Sequence, residues 1–181
     1  MCGICGYYGE QAISNKTLER MNHALVRRGP DEGGIFRDLG VGLAMRRLSI
    51  IDLAGGRQPI HNEDGTVWIV FNGEIYNYRE LRATLLQRGH RFRTHTDTEV
   101  IVHLYEEYGD DLVHHLRGMF AFALWDAHRS RGLLVRDRLG IKPLFYAQAG
   151  DTLLFGSEIK AVLATELIER DIDYQALDAF F

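Results

Sequence analysis

Cysteine is scarce in this chain. Cys2 and Cys5 are its only two among 181 residues, which leaves no disulfide framework and fits a reducing compartment. Their Cys2-Gly3-Ile4-Cys5 spacing lacks the second pair that a zinc site built of cysteines needs. A basic excess is missing too: 21 Lys and Arg against 25 Asp and Glu give a net charge of −4. The cations are distributed rather than clustered, so the basic face that a nucleic-acid backbone requires is excluded. No apolar run approaches the roughly 20 residues of a membrane-spanning helix, and the N-terminus has no charged stretch followed by an apolar one. The expectation is a cytoplasmic protein with neither nucleic acid nor membrane as a partner. The eight histidines form no His-x-x-x-His pair on a convincing helix, and no Gly-x-x-x-x-Gly-Lys phosphate cradle occurs. No metal and no cofactor is assigned. What 181 residues do allow is one domain, with or without a short overhang, around a substantial core.

Several elements can be read from spacing. Gly3 to Tyr8 is β-branched and aromatic, a strand on which residues three apart face opposite sides, so Cys5 points into a core and Cys2 elsewhere. Leu18, Met21 and Leu25 recur at helical spacing behind Ser14 and Asn15, and the pattern stops at Arg28-Gly29-Pro30-Asp31. Val41 to Ile51 and Thr66 to Phe71 read as strands, separated by a Gly55-Gly56 loop and an Asn62-Glu63-Asp64-Gly65 turn. Asn77-Tyr78-Arg79-Glu80 has the form of a capping box ahead of Leu81, Leu85 and Leu86. Arg91 to Thr94 reads as a short strand, and Thr96 or Asp97 as the cap of a helix with a Val100, Ile101, Leu104, Tyr105 and Tyr108 stripe. Met119 to Trp125 and Gly132 to Arg136 read as strands, Leu144 to Ala147 and Thr152 to Phe155 as a hairpin, and Ser157-Glu158 as the cap of a helix through Leu163. Strands grouped with strands and helices in pairs indicate an α+β fold of antiparallel sheet covered by helices. Beyond Asp171, Tyr174, Leu177, Phe180 and Phe181 begin a helix that no cap closes. The expected organisation is a domain over 1–170, with 171–181 starting a linker or helix toward a further C-terminal domain.

The chain begins Met1-Cys2. Loss of Met1 would leave Cys2 with a free α-amine beside its thiol, a nucleophile and a base on one residue. Other segments are hard to explain as plain structure: Arg47-Leu48-Ser49-Ile50-Ile51-Asp52, Asn72-Gly73-Glu74-Ile75-Tyr76-Asn77, Thr96-Asp97-Thr98-Glu99, and the run from Arg136-Asp137-Arg138-Leu139-Gly140 to Ile141-Lys142-Pro143-Leu144-Phe145-Tyr146. The first three have bland alternatives. Asn-Gly pairs are most often hairpin turns, Asp97 could be only a helix cap, and Arg46 or Arg47 only a surface charge.

Together with Met1-Cys2-Gly3-Ile4 and Arg28-Gly29-Pro30-Asp31, these strings resemble the class II glutamine amidotransferases, and among them the glutaminase domain of glutamine-dependent asparagine synthetases. The resemblance spans essentially the whole chain. It implies the four-layer αββα sandwich of N-terminal nucleophile hydrolases, two antiparallel sheets face to face with helices outside. It also implies hydrolysis of L-glutamine to L-glutamate and ammonia through a thioester on Cys2, with Asn72 and Gly73 donating to the oxyanion. Arg47 would grip the substrate carboxylate, which a guanidinium can do bidentately; Leu48, Ser49, Ile50 and Ile51 would wall the pocket, and Glu74 and Asp97 would receive the ammonium. The ammonia would pass to a synthetase domain that converts aspartate to asparagine. ATP and Mg would belong to that domain alone, and the full-length protein would be a homodimer.

Two positions depart from the family's strings: Arg27 stands where His often precedes Arg-Gly-Pro-Asp, and Met45 where His often precedes Arg-Arg-Leu-Ser-Ile. Neither replaces a group expected to react. Rival readings are a non-catalytic glutamine-sensing or docking module, a hydrolase of another amide, and an amidotransferase with an acceptor other than aspartate. Intact Cys2, Asn72 and Gly73 speak against the first, and Arg47, Glu74 and Asp97 against the second. Acceptor choice lies outside these residues.

Overall fold

A computed structural model describes residues 2–9, 13–48 and 56–180 of the chain. In order, the elements are β1 (Gly3–Tyr8), α1 (Asn15–Ala24), β2 (Glu32–Asp38), β3 (Val41–Arg47), β4 (Ile60–His61), β5 (Val67–Ile75), α2 (Tyr78–Gln87) and α3 (Glu99–Tyr108). After a 3-10 turn over Gly109–His114 come β6 (Gly118–Asp126), β7 (Arg131–Arg136), β8 (Phe145–Ala149), β9 (Thr152–Gly156), α4 (Ile159–Leu163) and α5 (Tyr174–Phe180). The strands form a five-stranded sheet ordered β2-β3-β1-β9-β8 and a four-stranded sheet ordered β4-β5-β6-β7, and every pairing is antiparallel.

The strands alternate in a way that places three cores in register. Ile4, Leu43, Met45 and Phe155 from the first sheet meet Val70, Ala121, Ala123 and Trp125 from the second. The opposite faces take the helices: Cys5 and Tyr7 pack on Leu18, Met21 and Leu25 of the α1 segment and on Val162 of α4, while Ile69, Phe71 and Phe122 pack on Leu85 of α2 and Val100, Ile101 and Leu104 of α3. The order helix, sheet, sheet, helix is the expected four-layer sandwich. Opposite faces of β1 carry the two cysteines as the period-2 rule requires. Cys5 is fully buried, which pushes its thiol pKa up, and Cys2 packs at the edge of the inter-sheet core.

Several boundaries differ from the sequence reading. Strands β2 and β4 were not anticipated. Half of β2 is exposed, and β4 has only two residues, so neither carries the apolar alternation that reveals a strand. The strand read as Val41 to Ile51 ends at Arg47; Ser49, Ile50 and Ile51 lie outside the described residues. Arg91 to Thr94 is not a strand: its amides bond side chains, Arg91 N to Glu63 Oε1 and Arg93 N and Thr94 N to Glu99, each at 2.7 Å. Ser14 caps α1, accepting from Thr17 N. Asn77 is the residue before α2 but makes no capping bond. Its amide instead donates to His115 O and accepts from Arg117 N, tying the helix start to the strand β6 approach. Leu85 is buried, whereas Leu86 is exposed. The cap position of α3 is Thr98 rather than Thr96 or Asp97. Glu158, not Ser157, precedes α4; Ser157 clips β1, accepting from Ile4 N through its hydroxyl and donating its own N–H to Ile4 O.

Candidate functional site

A cavity of about 280 Å³ opens at one edge of the sandwich, where β1 begins, β3 ends and β5 crosses. The register Gly3↔Arg46 brings the residue before β1 beside the end of β3, so Cys2 meets Leu48, its Sγ 3.7 Å from the Leu48 carbonyl. Arg28 fixes this terminus: its Nε donates to the Cys2 carbonyl at 2.9 Å, and its other end pairs with Glu158. The Arg28-Gly29-Pro30-Asp31 turn presses against β3 so tightly that a Cβ on Gly29 would lie 2.2 Å from the Arg46 carbonyl carbon. Side chain and turn together hold Cys2 and Arg47 on one wall. Arg46 lies outside that wall, donating to Gly29 O and Pro30 O. Arg47 is only 4% exposed, so it is not the surface charge of the bland reading. It lines the cavity and shares Glu32 with Arg57.

The opposite wall is β5. Asn72 and Gly73 lie within this strand, opposite Ala121 and Phe120 of β6, not in a hairpin turn. Among the described residues no strand pairs with their other edge, because β4 has already stopped. Gln58 Oε1 accepts from Phe71 N at 2.7 Å, and Asp97 Oδ2 accepts from Ile75 N at 2.8 Å. Alternation along a strand turns the amides of residues 71, 73 and 75 to the same edge, so the Gly73 N–H faces the cavity between those two acceptors. A Cβ on Gly73 would sit 2.3 Å from the Met119 carbonyl oxygen, so only glycine allows the two strands to close here. Asn72 is 1% exposed, and its Nδ2 has no hydrogen-bond partner among the described residues. Buried donors are rarely left so.

Glu74 and Asp97 face the same space. Burial, then the charge of Glu74, push the Asp97 carboxyl up to about 6, against the pull of the Ile75 amide. Two carboxylates sharing a cavity wall favour a cation between them.

The cavity thus gathers Cys2, Arg47, Leu48, Asn72, Gly73, Glu74 and Asp97. Ser49, Ile50 and Ile51 lie outside the described residues. Sequence reasoning missed Gln58, which donates to Thr98 Oγ1 as well as accepting from Phe71 and so bridges β5 to the start of α3. It also missed Lys142, which lines the cavity at 8% exposure. The signal for Lys142 was present in the Arg136–Tyr146 string. Asp137 in that string accepts from the amides of Phe120, Leu139, Ile141 and Lys142, and Arg136 donates to Lys142 O and Gly140 O. Although burial opposes it, those amides hold the Asp137 carboxyl below its usual range. The motif is a loop wound around one carboxylate, presenting Lys142 inward.

The chain resembles known proteins in sequence and in fold. Asparagine synthetase [glutamine-hydrolyzing] 3 of Bacillus subtilis (strain 168) is 44% identical over 100% of this chain and 30% of its own length. Asparagine synthetase [glutamine-hydrolyzing] 2 of Oryza sativa subsp. japonica is 43% identical over 90% of this chain and 28% of its own. The chain spans less than a third of the length of these curated relatives. Among solved structures, a glutamine phosphoribosylpyrophosphate amidotransferase from B. subtilis, complexed with ADP and GMP, matches with a TM-score of 0.70 at 21% identity, over 91% of this chain and 44% of that one. An allosteric regulatory enzyme of purine biosynthesis matches at 0.73 and 22% identity, over 91% and 43%. These two carry the fold alone, and the fold is the N-terminal nucleophile sandwich. The family model described as a glutamine amidotransferase domain matches residues 1–181, and the chain belongs to that family.

Proposed function

We propose that this domain hydrolyses L-glutamine to L-glutamate and ammonia with Cys2 as the nucleophile. Once Met1 is removed, the α-amine of Cys2 takes the thiol proton and the sulfur attacks the side-chain carboxamide carbon. The carbonyl π electrons move to oxygen, and Asn72 Nδ2 and the Gly73 N–H receive that oxyanion; donors fixed in advance contribute more to such a step than to ground-state binding. Collapse expels the amide nitrogen, which leaves as ammonia with the proton held by the α-amine. Water then attacks the thioester by the same route and releases glutamate. Arg47 clamps the α-carboxylate, Asp97 and Glu74 hold the α-ammonium, and Leu48 forms the wall alongside. The observation that carries this reading is the buried, unpartnered Asn72 amide beside the cavity that Cys2 lines.

The ammonia is passed to a synthetase domain that makes asparagine from aspartate, in a full-length protein that pairs as a homodimer. ATP and Mg act only in that domain, residues 1–170 are the glutaminase, and 171–181 lead toward the partner domain. The relatives' names, glutamine-hydrolysing asparagine synthetases, support the choice of asparagine synthesis as the use of the ammonia.

Intact-mass spectrometry of the untagged chain before and after 6-diazo-5-oxonorleucine, with peptide mapping, tests the nucleophile. The expected result is loss of Met1 and a single adduct on Cys2, absent in Cys2→Ala. A processed chain that stays unmodified while glutamine is still turned over would remove Cys2 from the mechanism.

A further inference from the structure

Behind α3, on the side away from the cavity, four side chains remote in sequence converge. Glu63 comes from the β4–β5 turn, His90 from the segment after α2, and His103 and Glu106 from adjacent turns of α3. One donor atom from each lies within 4.8 Å of the others. His103 Nδ1 is 2.9 Å from Glu106 Oε2 and 3.6 Å from Glu63 Oε2, and His90 Nδ1 is 3.4 Å from Glu106 Oε2. Donors bound tetrahedrally at about 2.0–2.2 Å stand about 3.3–3.6 Å apart, the spacing these three edges bracket.

The outward atoms of Glu63, Glu106 and His90 are occupied elsewhere, which aims the inward ones. Glu63 Oε1 accepts from Arg91 N at 2.7 Å, and Glu106 Oε1 accepts from Asn62 Nδ2 at 2.8 Å. His90 Nε2 is 2.9 Å from Glu107 Oε1, itself paired with Arg88 through its other oxygen. His103 is fully buried, and its Nε2 has no hydrogen bond among the described residues, with Glu99 Oε1 nearest at 3.9 Å. Carboxylates behind imidazoles are the outer groups that orient metal-bound histidines. Glu63 and Glu106 remain partly exposed, which gives an ion a way in.

We infer that Glu63, His90, His103 and Glu106 form a structural site for a zinc-class divalent cation, with Nδ1 of both histidines and Oε2 of both glutamates as ligands. Two carboxylates neutralise a dication, and two imidazoles select against magnesium and calcium, which take oxygen ligands. The ion ties the β4–β5 turn and the end of α2 to α3, whose approach, Thr96-Asp97-Thr98, lines the cavity. The inference stands apart from the glutaminase reading, since none of its ligands faces that cavity.

The test is calorimetric titration of the chelator-stripped 181-residue chain with Zn²⁺ and, separately, Mg²⁺, with the melting temperature and the visible spectrum of the Co²⁺ form as further readouts. One equivalent of Zn²⁺, a melting temperature raised by several degrees, a tetrahedral Co²⁺ spectrum and no response to Mg²⁺ are expected. Glu63→Gln and His90→Ala, both partly exposed positions, should each weaken Zn²⁺ at least about 100-fold, and Glu107→Gln about 10- to 100-fold through His90. A Cys2→Ser chain should keep the full equivalent. Absence of binding, a full equivalent surviving in the Glu63→Gln/His90→Ala chain, or its loss in Cys2→Ser would each overturn the site and leave the cluster as ion pairs only.

Discussion

Asp97 and Glu99 stand two residues apart at the start of α3, both almost wholly buried, yet their surroundings treat them in opposite ways. Glu99 accepts from Arg93 N, Thr94 N and Thr94 Oγ1 at 2.6–2.7 Å. Burial raises its pKa, but His103 and those donors outweigh it and hold the carboxyl at about 2. Asp97 has the Ile75 amide and faces Glu74, and burial leaves it near 6. Glu99 is thus satisfied by its own neighbours. The cavity side holds an orphaned amide on Asn72 and two like charges. Satisfied buried groups hold a fold together, whereas unsatisfied ones cost stability and are retained where a ligand completes them.

That contrast assigns each carboxylate a different phenotype. Glu99→Ala strips three donors of a charged acceptor and should cost about 3–5 kcal/mol of stability, read as a lowered denaturation midpoint, while glutamine turnover by the surviving folded fraction stays near wild type. Asn72→Ala should do the reverse, lowering kcat about 100- to 1,000-fold, equivalent to about 2.7–4 kcal/mol, with the melting temperature unmoved or raised. A fall in stability without a fall in kcat would reassign Asn72 to the scaffold.

Asp97→Asn should stabilise the fold by up to about 3 kcal/mol at pH 7. Because the folded carboxyl titrates near 6 rather than 3.8, the folded state holds its proton longer. The stability contributed by this group is therefore fully present below pH 3.8 and is lost as pH rises toward 6. The neutral amide can still accept from the Ile75 N–H. Chemical denaturation of both chains at pH 4 and pH 7 measures the difference, which should be small at pH 4 and large at pH 7. The same substitution should raise the glutamine KM.

These oppositions explain what could be read from the residues alone. The α1 stripe was visible because burial of one face imposes a period, and Gly118–Asp126 and α3 because elements buried on more than one side read as dense apolar runs. The cavity residues were visible as strings too polar or too glycine-rich for their setting. Two things were not visible. Short or half-exposed strands such as β2 and β4 carry no period. Roles created only by folding also leave no local trace: Arg28 bonds a carbonyl 26 residues away, Gln58 completes the edge of β5, and Glu63 and His90 reach α3 across a turn and a helix end. The Asn77 capping box failed for the same reason, since Arg117 and His115 offered its side chain better partners than its own helix.

The smallest expected effect discriminates most finely between the two sides of α3. Asp97 must be ionised to hold an ammonium, so the glutamine KM should be flat above about pH 7 and rise as pH falls through 6, about tenfold by pH 5. The charged or titratable groups facing it across the cavity are Glu74, Arg47, Lys142 and Cys2. Of these, Glu74 is the one whose charge raises the Asp97 pKa. Glu74→Gln should therefore move the inflection in KM to lower pH while weakening binding overall, and Asp97→Asn should abolish the inflection and leave KM high throughout. Steady-state kinetics of the three chains between pH 5 and 8 decide the matter. An inflection that survives in Asp97→Asn would mean that another group in the cavity receives the ammonium, and the raised pKa of Asp97 would then be a cost of burial without a function.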